Sequence, residues 1–470
     1  MMDYIHIFPE TFFIVSLLVL LLLGIVVKPR IIHLLVLVCA VITLVLLIIK
    51  TLLGRKHLDL TLFNSLLRLD IYVELVQVFV LTSGIAVLLL LNFSKQQYKY
   101  EFSILIAFAL FAMLALISTN NLISFYLAFE LMSIPLYVLA CFNQNSRYAC
   151  EAGVKYFTLG SLSSCIMLYG ISLLYGYTGE TDFTKLSEVL QGYKVTDGMI
   201  FGLICIFISL CFKLAIAPFH MWAPDVYQGA PTIVTAFLST TPKAVLIALF
   251  MKFVHLVTSN LVWQYTMLCM SALSVLISAL CALRQRNLKR LLAYSSIGHI
   301  GHMFAVLSIG YDTYMLGVVI SVFVYLVIYI ATSIGLFAYL IVMDDDDCTI
   351  ESLSGIGKIQ PVLAFGLSIL LFSMSGIPPL AGFFTKIFIY TLLIASEFIV
   401  VPLIMIAASV ISCYYYLSII KVIYFDKAGY NKLINPGKGL SFIIISAVLI
   451  NVLLPPVLVY IIYCNFGCTD

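Results

Sequence analysis

The chain has 470 residues, of which 63% are hydrophobic and 10% charged, and its mean hydropathy is +1.14. No soluble fold hides that much apolar surface, which excludes a water-soluble enzyme or binding module. The formal net charge of +3, with no basic patch interleaved with aromatics, gives no basis for nucleic-acid binding.

A bilayer core about 30 Å thick takes roughly 20 apolar residues per helix, and runs of that length recur from end to end. An outer-membrane barrel would alternate apolar and polar residues, whereas Phe13 to Val27 is apolar all round. Closing each run at the next cluster of charges, Pro or Gly predicts an all-α polytopic membrane protein of about 14 spans. They cover 10–27, 31–53, 71–93, 102–119, 121–142, 152–177, 198–221, 227–256, 262–283, 288–309, 312–343, 361–396, 398–424 and 440–464. Met1 to Glu10 lacks a basic region and no small-residue cleavage site follows, so the first span reads as retained. Spans 312–343 and 361–396 are too long for one straight crossing, and Pro378-Pro379 in the second should break its helix. The longest polar connections, Gly179 to Gly198 and Met343 to Gln360, are too short to build a soluble domain.

Loops on one side hold 15 of the 25 Lys and Arg and those on the other hold 7, so the first side should face the compartment of insertion. The twelve cysteines scatter through apolar helices without a CxxC pair and read as small core residues. Cys464 and Cys468 are the one close pair. No iron–sulfur, haem, flavin or nucleotide motif is present, so neither cofactor nor metal is expected in this chain. The acidic run Asp344 to Asp347 reads as a solvated loop, lacking the spaced ligands of a calcium site.

Ionisable groups at membrane depth are costly and mark function by default. Glu130 sits nine residues after Asn121, about 14 Å below one interface at 1.5 Å per residue. A static ion pair that holds helices together is the alternative to a functional carboxyl. Lys213 precedes Pro218 and Pro224 in FKLAIAPFHMWAPDVYQGAP. Two prolines in one span imply unwound backbone, tolerated at that depth only where protein or a hydrated cavity surrounds it. A lysine there can gain and lose a proton. Lys243 lies beside Pro242 in STTPKAVLIALF, and Lys386 follows Pro378-Pro379 in SGIPPLAGFFTKIF. Proline-broken spans in corresponding halves are the mark of an inverted repeat. The expected organisation is therefore 1–101 for helices 1–3, two inverted five-helix repeats over 102–256 and 257–424, and 425–470 for a last helix. His299 and His302, with Ser295 and Ser296 nearby and His255 in the eighth span, supply imidazoles and hydroxyls for a water-assisted proton chain between Lys243 and Lys386. Static packing is the alternative for each histidine.

FELMSIPLYVLA around Glu130, EAGVKYF at 151–157, KLAIAPFHMWAPDVYQGAPTIVTAFLSTTPK at 213–243 and GIPPLAGFFTKIF at 376–388 closely resemble the subunit 2 family of proton-pumping NADH:ubiquinone oxidoreductase, complex I. The resemblance covers nearly the whole chain and is most specific over 213–243. It implies an antiporter-like membrane-arm subunit that contributes a proton channel and sits among other membrane-arm subunits and membrane lipid. NADH, FMN, iron–sulfur clusters and ubiquinone would then belong to the rest of the complex. By the same likeness Glu130 and Lys213 form a modulating ion pair, Lys243 is the central relay and Lys386 the exit group. The largest antiporter-like subunits carry a long lateral helix for which there is no room after residue 464. Animal members resemble a shortened form, so about 14 spans imply the longer form of plants, algae, protists or bacteria. The mitochondrial inner membrane is favoured by resemblance, with a bacterial plasma membrane as the alternative. The residues alone also permit a monovalent cation/proton antiporter subunit using the same broken helices.

Overall fold

Apolar runs that cannot expose backbone groups to lipid must satisfy them internally, which makes helices the dominant element. A computed structural model describes residues 6–53, 59–192, 196–257, 261–310, 315–343, 348–426 and 437–459. Among these residues 11 helices are long and apolar enough to cross a membrane, and three further apolar helices are shorter. Large aliphatic and aromatic side chains remain exposed on many of them, such as Leu22, Leu34, Val362 and Phe425, as a lipid solvent requires. Internal packing divides the chain into two units, Met1–Lys213 with Gly229–Phe250, and Leu214–Gln228 with Met251–Asp470.

The first unit opens with α1 (Phe8–Leu23) and α2 (Pro29–Leu53). A two-stranded antiparallel hairpin follows, β1 (Asp59–Leu62) with β2 (Leu67–Asp70), turning through left-handed Phe63, Asn64 and Ser65. This hairpin is an addition to the expected all-α class. Its last residue, Asp70, caps α3 (Ile71–Phe93) by accepting the Val73 N–H at 2.7 Å. Then come α4 (Glu101–Ser118), α5 (Leu122–Ala140), α6 (Arg147–Thr178), α7 (Phe183–Gly192) and α8 (Asp197–Leu214). Asn121 caps α5 through the Ile123 N–H and Ser146 caps α6 through Ala149 N–H, which fixes where both helices begin. Helix α4 packs between α1 and α5, and α5 packs on α6.

The expected seventh span, 198–221, is α8 followed by unwound backbone, and α9 (Trp222–Gly229) begins only after it. The expected eighth, 227–256, takes in the end of α9 and then two helices, α10 (Thr232–Ser239) and α11 (Thr241–Val257), parted at Thr240. The second unit continues with α12 (Leu261–Ala282), α13 (Leu288–Leu307), α14 (Met315–Met343), a short 3-10 turn at Ile350–Leu353, α15 (Ile356–Ile359), α16 (Pro361–Ser375), α17 (Ala381–Ala395), α18 (Val400–Phe425) and α19 (Lys438–Leu453). The span expected at 361–396 breaks as Pro378-Pro379 requires, into α16 and α17. The one expected at 312–343 does not break: α14 runs 29 residues, about 43 Å, a length that tilt accommodates. Helix α13 is not among the 11 spanning candidates, because Lys289, Arg290, two serines and two histidines dilute its apolar residues.

Candidate functional site

On α5 the residues Phe129, Ser133 and Tyr137 recur every four positions and so share one face. Lys213, in the last turn of α8, points at that face and is 4% exposed. Its ammonium donates to Ser133 Oγ at 2.8 Å and to Tyr137 Oη at 2.9 Å. It also lies 4.7 Å from the Tyr137 ring centroid, 5.4 Å from Phe129 and 5.5 Å from Tyr156. Burying a charge is costly unless it is hydrogen-bonded, and hydroxyls with three electron-rich ring faces provide a compensating environment. Ser133 remains free to accept because its own proton goes to the Phe129 carbonyl at 2.8 Å. The Tyr137 and Tyr156 rings meet edge to face at 4.9 Å, which fixes the wall of the pocket.

Glu130 is on the same helix, within electrostatic range of Lys213. Its Oε1 is buried without a hydrogen-bond partner, and the two residues form no ion pair among the described residues. The ammonium is instead satisfied one and two helical turns further along α5. Lys243, in the first turn of α11, is 2% exposed, and every residue from 233 to 251 is buried.

Beyond Lys213 the backbone leaves the helix at Ala215, in the left-handed region at φ 60°. Unwound backbone in a membrane needs substitute partners, and the Ala217 N–H finds Ser274 Oγ of α12 at 2.9 Å. Arg290 of α13 then holds α9, donating to Asp225 Oδ1 at 2.7 Å and to Gln228 Oε1 at 3.0 Å.

In the second unit α16 ends on Gly376 at φ 81°, a conformation only glycine adopts cheaply. The terminal carbonyls of that half-helix have no intrahelical partner. Lys386, 6% exposed on α17, supplies one, donating to Ser375 O at 2.9 Å and weakly to Met374 O at 3.4 Å. His302 faces the Gly298 carbonyl through Nδ1 at 2.8 Å; a carbonyl only accepts, so that nitrogen carries the hydrogen. Nε2 then accepts, facing Tyr390 Oη at 3.2 Å and Ser409 Oγ at 3.4 Å. His299 Nδ1 meets Tyr325 Oη at 2.8 Å, and Ser295 Oγ is bonded to Tyr416 Oη. Ser295, His299, His302 and Lys386 line one cavity of about 20 Å³, room for a single water, with Ser409 and Tyr416 completing its polar wall.

Four of the seven candidate residues named from sequence thus meet in the second unit, while Glu130, Lys213 and Lys243 belong to the first. Sequence reasoning missed Phe129, Ser133, Tyr137 and Tyr156 around Lys213 and Tyr390, Ser409 and Tyr416 beside the histidines. The four-residue spacing on α5 was the available signal. The His255 side chain, Cys464, Cys468 and the run Asp344 to Asp347 lie outside the described residues.

Residues 119–412 match the family described as NADH:quinone oxidoreductase/Mrp antiporter, TM. All seven candidate residues fall inside that match. Over 460 residues, 96% of each chain, the protein is 62% identical to NADH-quinone oxidoreductase subunit N of Wolbachia sp. subsp. Brugia malayi (strain TRS). The chain belongs to the NADH-quinone oxidoreductase subunit N family. A second member of the subunit N family, from Pelagibacter ubique (strain HTCC1062), is 38% identical over 431 residues, 90% of this chain and 89% of the relative. Among solved structures, a chain of respiratory complex I from Thermus thermophilus with bound aureothin superposes with TM-score 0.83 at 28% identity, covering 97% of this chain and 98% of that one. A chain of the Mrp complex from Dietzia sp. DQ12-45-1b reaches TM-score 0.85 at 16% identity over 98% and 96%, a likeness of fold alone.

Proposed function

We propose that this chain is the antiporter-like membrane-arm subunit of an NADH-quinone oxidoreductase, moving protons while electron transfer from NADH to quinone takes place in other subunits. FMN and iron–sulfur clusters then belong to those subunits, and this chain carries no redox centre. The relatives named above are bacterial, which supports a bacterial plasma membrane over the mitochondrial inner membrane. The reading of 102–256 and 257–424 as inverted repeats is supported by the two breaks: Ala215 and Gly376 both take positive φ, and a proline follows each three residues later.

The observation that carries the proposal is Lys213, a buried ammonium at the end of a half-helix whose partners are hydroxyls rather than a fixed carboxylate. Hydroxyl partners accept from the charged form and tolerate the neutral one, so the group can change protonation without leaving an unpaired charge. A charge change arriving from a neighbouring subunit alters Glu130, which acts on Lys213 through space. Lys213 releases a proton towards Lys243, and the imidazole and hydroxyl cluster of the second unit passes a proton to Lys386. The Tyr390–His302–Ser409 contacts supply both a donor and an acceptor for that step.

The test is Lys213→Met in an assembled complex: proton translocation should fall sharply with NADH oxidation, and unchanged pumping and quinone reduction would sink the proposal. Gentle solubilisation and separation by size should also show this chain co-migrating with flavin-dependent NADH oxidation. Migration apart from that activity, with cation/proton exchange intact, would assign it to an antiporter instead.

A further inference from the structure

The lysine relay leaves unused a group of buried and half-buried polar residues in the first three helices. Glu10, in the first turn of α1, is 5% exposed, and Gln77 on α3 is fully buried. Gln77 uses both amide hydrogens, one on Glu10 Oε1 at 3.1 Å and one on the Leu114 carbonyl of α4 at 3.2 Å. Lys50, in the last turn of α2, lies 3.6 Å from Glu74 Oε1 in the first turn of α3, an ion pair without a hydrogen bond. Glu10 is within electrostatic reach of both Lys50 and Glu74. After these contacts are counted, Glu10 Oε2, Gln77 Oε1 and Lys50 Nζ remain buried with no hydrogen-bond partner.

Two carboxylates face one ammonium, so with Glu10 ionised the cluster holds one uncompensated negative charge. Buried polar atoms without partners and buried charge without balance are both expensive, and a native cluster that keeps them is built to take something up. A metal cation fits poorly: two vacant oxygens make a thin coordination shell, and the Lys50 ammonium repels it. A proton removes the surplus charge outright by forming an O–H bond at Glu10 Oε2, converting that atom from a vacant acceptor into a donor in a cluster where Gln77 Oε1 is still free to accept. We propose that Glu10, held by Gln77 and flanked by the Lys50–Glu74 pair, is a second proton-loading site, separate from the lysine relay. Loading adds one proton from water to the Glu10 carboxylate and release returns it; no other bond changes. This N-terminal site depends only on its own four residues, so it stands or falls independently of Lys213.

Infrared difference spectra of the membrane-embedded complex, recorded between two pH values, test this directly. The wild type should show a protonated-carboxyl C=O band that is lost in Glu10→Gln and kept in Lys213→Met. Gln77→Leu retains Glu10 but removes its amide donor, and should shift the band to higher frequency because the carbonyl loses a hydrogen bond. That second variant reports on the site even where Glu10→Gln fails to assemble. A Glu10→Gln spectrum identical to wild type, a Gln77→Leu band at the wild-type frequency, or a band that responds to sodium at fixed pH would each overturn the assignment.

Discussion

Two lysines beside two broken helices look alike in sequence and are held in different ways. Lys213 belongs to the half-helix that ends at its break, and its ammonium is taken up by side chains of a neighbouring helix, Ser133 and Tyr137, under three aromatic rings. Lys386 belongs to the half-helix that begins after its break and reaches back to main-chain carbonyls at Met374 and Ser375. Hydroxyls reorient and both donate and accept, whereas the carbonyls at the C-terminal end of a helix are fixed acceptors carrying partial negative charge. The first environment suits a group whose charge must answer to a neighbour. The second holds a cation in place until something competes for it, as the adjacent His302 and Ser409 wall of the cavity is positioned to do.

The largest expected effect comes from removing each ammonium in turn. Positioned proton-transfer groups typically contribute 10²–10⁴-fold, so Lys213→Met and Lys386→Met should each slow coupled turnover by about a hundredfold or more. The comparison predicts a split: Lys213→Arg should fail too, since a planar fork cannot reproduce a point donor between two hydroxyls and three rings, while Lys386→Arg should retain more activity against open carbonyls. NADH oxidation with simultaneous pumping measurement in membranes checks both pairs, and equal loss in the two arginine variants would break the contrast.

How much of this was readable in advance follows from the kind of group involved. Pro218 and Pro378-Pro379 announced the breaks because an interior proline removes a helical hydrogen bond and kinks or breaks the helix, and Lys213, Lys243 and Lys386 announced themselves by the expense of burying an ammonium. Phe129, Tyr137 and Tyr156 were invisible because an aromatic in an apolar helix has the same appearance whether it packs or cages a cation. The partners of Lys386 are backbone atoms and leave no trace in sequence at all. Family likeness implied a Glu130–Lys213 pair; in the structure the ammonium's direct partners are Ser133 and Tyr137, a choice set by helical spacing on α5.

Removing one hydroxyl should sharpen the same contrast at smaller cost. A hydrogen bond to a charged group is worth about 1.5–3 kcal/mol, so Tyr137→Phe should alter the pH dependence of pumping and lower turnover by roughly tenfold. Ser133→Ala should act in the same direction. No side-chain deletion can do this at Lys386, whose equivalent is Gly376→Ala. A Cβ there would meet Lys386 Cδ at 3.0 Å and Nζ at 3.1 Å, on a residue at φ 81°. Left-handed backbone alone costs a non-glycine residue roughly 1–2 kcal/mol, so thermal inactivation of the complex should come earlier and Lys386 should be displaced.

The smallest effect separates the two breaks by how their freed backbone is satisfied. Each uses one serine: Ser274 Oγ accepts the Ala217 N–H at 2.9 Å, and Ser373 Oγ accepts the Gly382 N–H at 3.3 Å while donating to Asn451 Oδ1 at 2.6 Å. Ser274→Ala strands one buried donor, at about 1–3 kcal/mol. Ser373→Ala loosens a longer bond to an N–H in the first turn of α17, but it also strands the Asn451 oxygen inside the second unit. Ser373→Ala should therefore destabilise at least as much as Ser274→Ala, and Asn451→Leu in the Ser373→Ala background should recover part of the loss, because an apolar group needs no partner there. Ser274→Ala has no such rescue, since the orphaned donor is main chain. If thermal inactivation shows Asn451→Leu failing to rescue Ser373→Ala, then the Gly382 contact rather than the Asn451 contact carries the second break, and the two breaks are satisfied in the same way after all.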